Sequence, residues 1–553
     1  MGPGEEHDGA RAAARRWVAA AARRRPRAAG RPRGRRWLAA WLAVLGALAL
    51  LIAGPLASRR PVVDADDWPP LVATVRVDPA AASVPLAPSF VGLSMEYFGF
   101  GHDAGVRPGA TPDPLLARLV RGLESEGAPP LLRIGGRSSD ASWWNPAHRR
   151  PPAGVNYVIT PRWLARLRTL VDATGARVVL GLNLAIRRPA AAAAWARAAA
   201  RALPPGALAG FEIGNEPDLY GHVAWYGVGV PHGAGARAAH AGRGAIVRRY
   251  ARVADYGPRG FAREFLRYAN AVRRALPGAR FTGPGYSTPR WMPGLPAFLR
   301  TARRTLVAAT FHRYPLRACF SPPVAPTIPH LLEAAASDGL AASVAPYVAQ
   351  ARARRLPFWI SELNSVACGG RRGVSDTFAS ALWGMDTLLA LAHAGVARAE
   401  VHTRPGSPYA PFALAERGGR WTARVAPLYA ALHLFAQLAP PGTRVAPLHV
   451  TSRFRVVAWR LVDRRGRERV VLIDEDPAAR GVVRILLGTR RTATLIRLDA
   501  PSLGARGGVR LAGRSYGADA RLHGRRLVAR ARSDGDGYGV VLRRPGIAVL
   551  SVG

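Results

Sequence analysis

From Ser89 onward, short apolar runs alternate with amphipathic stretches along most of the chain. Eight runs read as strands: residues 89–99, 130–136, 177–184, 208–216, 280–286, 308–315, 356–362 and 398–403. They are short, near-continuously apolar and bounded by Gly, Pro or charged residues, as strands buried on both faces are. Between them, residues 161–175, 260–276, 375–395 and, after the last strand, 425–438 repeat their apolar positions with helical spacing. This repetition predicts a parallel (β/α)8 barrel over residues 87–438. An open doubly wound sheet is the alternative, but it would usually show a phosphate-binding first turn, and none is present.

After "QLAPPGTRV" the period falls to two, in "RFRVVAWRLVD", "ERVVLIDED", "GVVRILLG", "TATLIRLD" and "YGVVLRRPGIAVLSVG". Alternation with frequent turns predicts an antiparallel β-sandwich over residues 439–553. "PPLVATVRVDP" (69–79) is a strand with no helix of its own, so residues 69–86 are expected to join that sandwich. Residues 58–68 read as a linker, and 221–258, rich in Gly, Ala and Arg, as an insertion after the fourth barrel strand.

The N-terminus adds a compartment. Residues 1–36 are arginine-rich, and Trp37–Ala57 then runs without a charge. About 20 apolar residues match a bilayer-spanning helix, and the arginines before it place the N-terminus in the cytoplasm. A membrane anchor with an extracellular catalytic body is therefore expected; a cleaved signal peptide and a secreted protein are the alternative.

Charge changes the picture less than its size suggests. The formal net charge is +44, yet every one of the 79 basic residues is arginine and they are spread over all segments. That pattern fits a coding bias better than a nucleic-acid surface, so no nucleic-acid partner is expected. Two cysteines, Cys319 and Cys368, are too few for a disulfide scaffold or structural zinc site but permit one bridge. They follow the sixth and seventh strands, neighbours in a barrel, so a Cys319–Cys368 disulfide is expected. No HExxH, Walker-type loop or dinucleotide fingerprint is present, and no metal site is expected.

Candidate chemistry sits where two strands end on carboxylates. "GFEIGNEPD" (210–218) closes the fourth strand on Glu216, and "FWISELNSVACGG" (358–370) closes the seventh on Glu362. Strand ends form the active face of such a barrel, so both side chains would reach one mouth. Glycoside hydrolysis needs such a pair: a protonated carboxyl for the leaving oxygen and an ionised one for C1. Ion pairs with the many arginines are the plainer reading of a single such glutamate; two at these strands, one within Asn-Glu-Pro, favour catalysis. Asn215 is placed to bond a sugar hydroxyl, and Tyr97, Trp143, Trp144 and Tyr314 offer faces for pyranose rings. Arg133 is a candidate to keep Glu362 ionised, Asp140 and Arg290 are candidate cleft residues, and His312 and His402 are open between structural and sugar-contacting roles.

"FEIGNEPD", "FTGPGYSTPR", "FHRYPL" and "ISELNSVACGGRRGVSDTFASALWGMD" resemble glycoside hydrolase family 79, the β-glucuronidase and heparanase-like enzymes of the retaining barrel clan. The resemblance covers Ser89 to Leu438. It implies Glu216 as acid/base, Glu362 as nucleophile and no cofactor. It also implies that Gly369 and Gly370 present backbone N–H groups to a glucuronate carboxylate, helped by Tyr314, and that Glu96 contacts the same sugar. Cys368, where relatives carry another glycine, and the basic pair Arg371 and Arg372 depart from the family pattern. The expected activity is a retaining β-glucuronidase acting on a glucuronic-acid-containing carbohydrate. An endo-acting hydrolase of uronate polysaccharides and a non-catalytic polysaccharide-binding protein are the competing readings.

Overall fold

Each barrel strand is apolar toward the helices and small or polar toward the axis, so eight strands close on one another and leave a ring of side chains inside. The computed structural model describes residues 69–553 except 79–80, 107–110, 112, 230–245, 490 and 532. The strands are β1 Val91–Glu96, β2 Leu131–Gly135, β3 Arg177–Leu182, β4 Leu208–Ile213, β5 Phe281–Tyr286, β6 Leu306–Arg313, β7 Phe358–Leu363 and β8 Arg398–Thr403. They form a closed, all-parallel barrel in sequence order, with β8 pairing back onto β1 through Ala399 opposite Val91.

A principal helix leads from each strand to the next, and the eighth packs after β8: α1 Pro114–Arg121, α2 Pro161–Thr174, α3 Pro189–Ala202, α4 Pro258–Ala275, α5 Leu295–Ala302, α6 Asp338–Arg352, α7 Phe378–His393 and α8 Pro427–Leu438, with short extra helices at Tyr97–Asp103 and Ile328–Leu331. The α2 signals are typical. Thr160 caps its first turn by accepting from the Trp163 N–H, Pro161 opens it, and Gly175 ends it in the left-handed conformation. Leu131, Val179, Ala209, Ala308 and Trp359, near the strand starts, plug the floor of the barrel. Above them the interior turns polar, and that change positions the site.

After β8 the chain builds two sheets from β9 Arg444–Pro447, β10 His449–Ser452, β11 Val456–Val462, β12 Glu468–Asp474, β13 Gly481–Leu486, β14 Ala493–Asp499, β15 Gly537–Leu542 and β16 Gly546–Val552. The strand Leu71–Arg76 inserts between β10, antiparallel, and β13, parallel. Residues 69–76 thus belong to the sandwich although they precede the barrel. Sandwich and barrel share one core: Trp459, Leu461, Val471, Ile473 and Ile547 cluster with the buried faces of α7 and α8. The Trp459 indole donates to Asp386 of α7, and Phe378 and Ala379 donate backbone bonds to Ala505 and Leu503.

The expected span Trp37–Ala57 and its arginine-rich flank lie outside the described residues; among those described, no helix is long and apolar enough to cross a membrane. In the 221–258 insertion, the strands Tyr226–Gly229 and Ile246–Arg249 form an antiparallel pair.

Candidate active site

The site is built on the upper, polar ring of the barrel. Arg133, near the end of β2, is its hub and is buried. Its Nε donates to Glu212 Oε2 at 2.6 Å, Nη1 to Glu362 Oε2 at 2.8 Å and to Ser94 Oγ at 2.9 Å, and Nη2 to Asn215 Oδ1 at 2.8 Å. One planar cation therefore ties β1, β2, β4 and β7 together and fixes the segments that carry Asn215 and Glu362.

Glu362, on β7, accepts from Arg133 through Oε2 and from the Tyr314 hydroxyl through Oε1 at 2.8 Å. His402 Nδ1 and His312 Nδ1 face its Oε2 at 3.7 and 3.9 Å. Burial alone would raise its pKa. The positive field of His402, His312 and Arg133, with the Tyr314 bond, outweighs that and holds the carboxyl well below the usual range. It is ionised.

Glu216 lies three residues past β4, in the left-handed conformation at φ 50°, and its Oε1 is 3.1 Å from His312 Nδ1. Burial raises its pKa; the His312 bond opposes that shift and the charge of Glu362 adds to it, leaving the group above its ordinary value. A carboxylate oxygen of Glu216, one of Glu362 and a ring nitrogen of His312 all lie within 4.8 Å of one another. Burial lowers the His312 pKa, but the charge of Glu362, the nearby Glu212 carboxylate 4.0 Å from Nε2 and the bond to Glu216 lift it to about 9. Glu212, fully buried on β4, is held below its ordinary value against its burial by Arg133 and His312.

Of the other candidates, Glu96 accepts from the Ser138 N–H at 2.7 Å and faces His402 Nε2 at 3.6 Å. Its burial is outweighed by His402 and Ser138, so it too is held ionised. Asn215 has its N–H on Asp140 Oδ2 and its Oδ1 on Arg133, leaving the amide nitrogen toward the cleft it lines. Asp140 also accepts from Leu184 N, Ala185 N and Tyr220 Oη; it orients the β4 loop.

The cleft over the pair has a volume of about 670 Å³, with Glu96, Asn215, Glu216, Tyr314, Glu362 and Gly369 in its walls, and an adjoining lobe of about 390 Å³ is bounded by Phe98, Tyr220 and Trp225. Gly369 and Gly370 have φ of 95° and 87°, which only glycine adopts freely. A Cβ on Gly370 would stand 2.9 Å from the Tyr409 nitrogen, so this glycine is needed for close packing on Tyr409 and Ser375; one on Gly369 would meet only Ser407 Oγ at 4.0 Å. Cys319 and Cys368 are joined, with Cα atoms 6.1 Å apart, which pins the β6 and β7 loops to each other.

Several expectations change. Tyr97 turns into the core, where its hydroxyl donates to the Gly181 carbonyl, and Trp144 packs against Trp195. Trp143 flanks the same small internal space, so these rings serve packing rather than a sugar. Arg371 and Arg372 are exposed and do not line the cleft, whereas Arg137, Arg313, Arg317 and Arg404 do. Tyr314 is in place, but its single O–H is used on Glu362. Glu212 escaped the sequence reading, although a carboxylate inside the apolar run "LAGFEI" was its signal. His312 and His402 resolve as parts of the charge network. The position of Tyr409, on a loop, carried no pattern.

No family model matches the chain. Its sequence is similar to a β-glucuronidase of Neurospora crassa, 26% identical over 402 residues, 66% of this chain and 66% of the relative, just under two-thirds of that protein's length. In fold it is similar to a 4-O-α-L-rhamnosyl-β-D-glucuronidase of Fusarium oxysporum, with TM-score 0.68 and 20% identity over 87% of this chain and all of that one. A family 51 arabinofuranosidase of Xanthomonas axonopodis follows at TM-score 0.59 and 16% identity, covering 87% of this chain and 99% of that one. In sequence the chain is similar to a β-glucuronidase, and in fold it is a (β/α)8 barrel with a β-sandwich, similar to those of these glycosidases.

Proposed function

We propose that the protein is a retaining β-glucuronidase in which Glu362 is the nucleophile and Glu216 the acid/base. The observation that carries this reading is the approach of the two carboxylates to within 4.8 Å at the barrel mouth. Retaining pairs stand about 5–5.5 Å apart, whereas inverting pairs leave about 6.5–9.5 Å for a water. The opposed pKa shifts support these roles. Ionised Glu362 attacks C1 while protonated Glu216 gives its proton to the departing oxygen. Glu216, now a base, then takes a proton from the water that releases the sugar. Arg133 keeps the nucleophile charged and oriented, and Asn215 is poised for a hydroxyl beside C1.

The N–H of Gly369 and the cations Arg404 and Arg137 support an anionic glycone, since a buried uronate carboxylate needs donors. The test is kcat/KM for paired chromogenic β-glucuronide and β-glucoside. Strong preference for the glucuronide is expected; equal values would remove the uronate reading and leave the catalytic pair. Glu216→Ala with azide on an activated substrate should yield the β-glycosyl azide, and Glu362→Ala the opposite anomer. Exchanged products would reverse the roles. Endo action on a uronate polymer is the second reading, favoured by the adjoining lobe, which continues the cleft past Glu216.

Location belongs to the same proposal. Trp37–Ala57 would anchor the body outside a membrane; protease added to intact cells should then remove the barrel and leave an arginine-rich stub, whereas a secreted form starting near Ser58 would establish cleavage.

A further inference from the structure

We propose that Phe320 is a stacking platform for a second sugar ring, so that the cleft recognises an oligosaccharide rather than a single glycone. This rests on the glycosidase reading above and names a subsite within it. Phe320 is 68% exposed, the most exposed phenylalanine among the described residues, and it stands in the wall of the cleft that holds Glu216 and Glu362. Single exposed apolar residues are common and need no function. What sets this one apart is that the backbone beneath it is held in place.

Four restraints converge on it. Cys319, the preceding residue, is bridged to Cys368. Leu316–Arg317 pairs in parallel with Val366–Ala367, joining its loop to the one that follows the nucleophile. Phe320 and Ser321 both sit in the left-handed region, at φ 55° and 46°, where a side chain with a Cβ is strained. Arg317 Nη2 donates to the Ser321 carbonyl at 3.4 Å, and Pro322 and Pro323 stiffen the exit.

A strained, cross-linked loop that displays an aromatic ring to solvent gains nothing for folding, because the ring buries little there. For binding it gains much. A phenyl face carries negative π density and meets the axial C–H face of a pyranose, and a ring already held in place loses little conformational freedom when one docks. Val324, also partly exposed, extends the apolar wall, and Arg313 and Arg317 lie along it. The occupant that fits is a pyranose of an anionic glycan, adjacent to the residue being cleaved.

The test compares wild type, Phe320→Ala and Phe320→Trp in the full chain, on an aryl β-glucuronide with no second ring and on tetrasaccharides containing the same β-glucuronidic bond. Phe320→Ala should lower kcat/KM for the tetrasaccharide on the order of tenfold more than for the aryl substrate, through KM, the scale of one aromatic contact. Phe320→Trp should restore it. Equal losses on both substrates, or none on either, would overturn the subsite. If wild type cleaves neither substrate, the glycosidase reading fails instead. The subsite is then judged by calorimetric binding of the tetrasaccharide to Glu362→Gln with and without Phe320→Ala, where unchanged affinity overturns it.

Discussion

At the scale of residues, the chemistry is a matter of opposed charge environments for two carboxyls of the same type. In the proposed mechanism Glu362 must be ionised and Glu216 protonated for turnover. Activity should fall at low pH as Glu362 takes up a proton, and at high pH as Glu216 loses one. Because Glu362 is shifted down and Glu216 up from the ordinary value, the active range widens at both ends. His312 sharpens this into a test. Its bond lowers the Glu216 pKa and its charge lowers that of Glu362, so in His312→Gln both the alkaline and the acid limb should move to higher pH. An alkaline limb that stays put in the kcat/KM profile would separate His312 from the proton inventory.

A second residue below the site makes a stability prediction. Glu400, on β8, is buried with neither carboxyl oxygen bonded to a described residue, and burial pushes its pKa up to about 8 from 4.5. A folded-state pKa above the unfolded one means stability is full below about 4.5 and is lost progressively up to about 8. Glu400→Gln should remove that loss, so the variant should gain in thermal stability over wild type at pH 8 more than at pH 5. Thermal unfolding at the two pH values reads the difference directly.

At the scale of elements, the loops after β6 and β7 work as one clamped unit. The bridge closes a segment with a sequence separation of 49, and cross-linking a loop of that size is worth about 4 kcal/mol in the chain-entropy picture. Cys319→Ser with Cys368→Ser should lower the unfolding midpoint and, because the clamp holds the nucleophile loop, raise KM for the glucuronide as well. A fall in stability with KM unchanged would make the bridge structural only. The two glycines of that loop should part company in the same assays. Gly370→Val drives a Cβ onto the Tyr409 backbone and should damage folding as well as turnover, whereas Gly369→Ala meets open space and pays only the strain of its φ of 95°, so it should cost less stability and weigh more on substrate binding.

At the scale of the whole molecule, barrel and sandwich unfold as a unit because they share a core. Leu71–Arg76 lies between two strands of the sandwich sheet, so deleting residues before 87 removes a central strand, not a tail. That deletion should abolish soluble protein or lower the midpoint sharply although it leaves the barrel sequence intact. A form beginning at Pro61 should show a single cooperative transition. Two separated transitions in calorimetry, or a stable barrel ending at 438, would refute the shared core.

What the sequence by itself determined is what repeats or what breaks a pattern. Eight apolar runs with helices between them declare the barrel, since a strand buried on both faces has no polar alternation to offer. Glu216 and Glu362 stand out as candidates because two carboxylates close apolar runs at strands that share one barrel mouth. Beyond the Arg133–Glu362 pairing and the Cys319–Cys368 bridge, which the sequence suggested, tertiary structure alone decided the partners. Arg133 touches Ser94, Glu212, Asn215 and Glu362 across four strands, and no spacing along the chain encodes contacts that exist only when the sheet closes. The same closure turns Tyr97 and Trp144 inward and brings Arg137 and Arg404, rather than Arg371, to the cleft. Side-chain direction at a strand end depends on which way the chain turns next, and that turn is chosen by packing against residues far away in sequence.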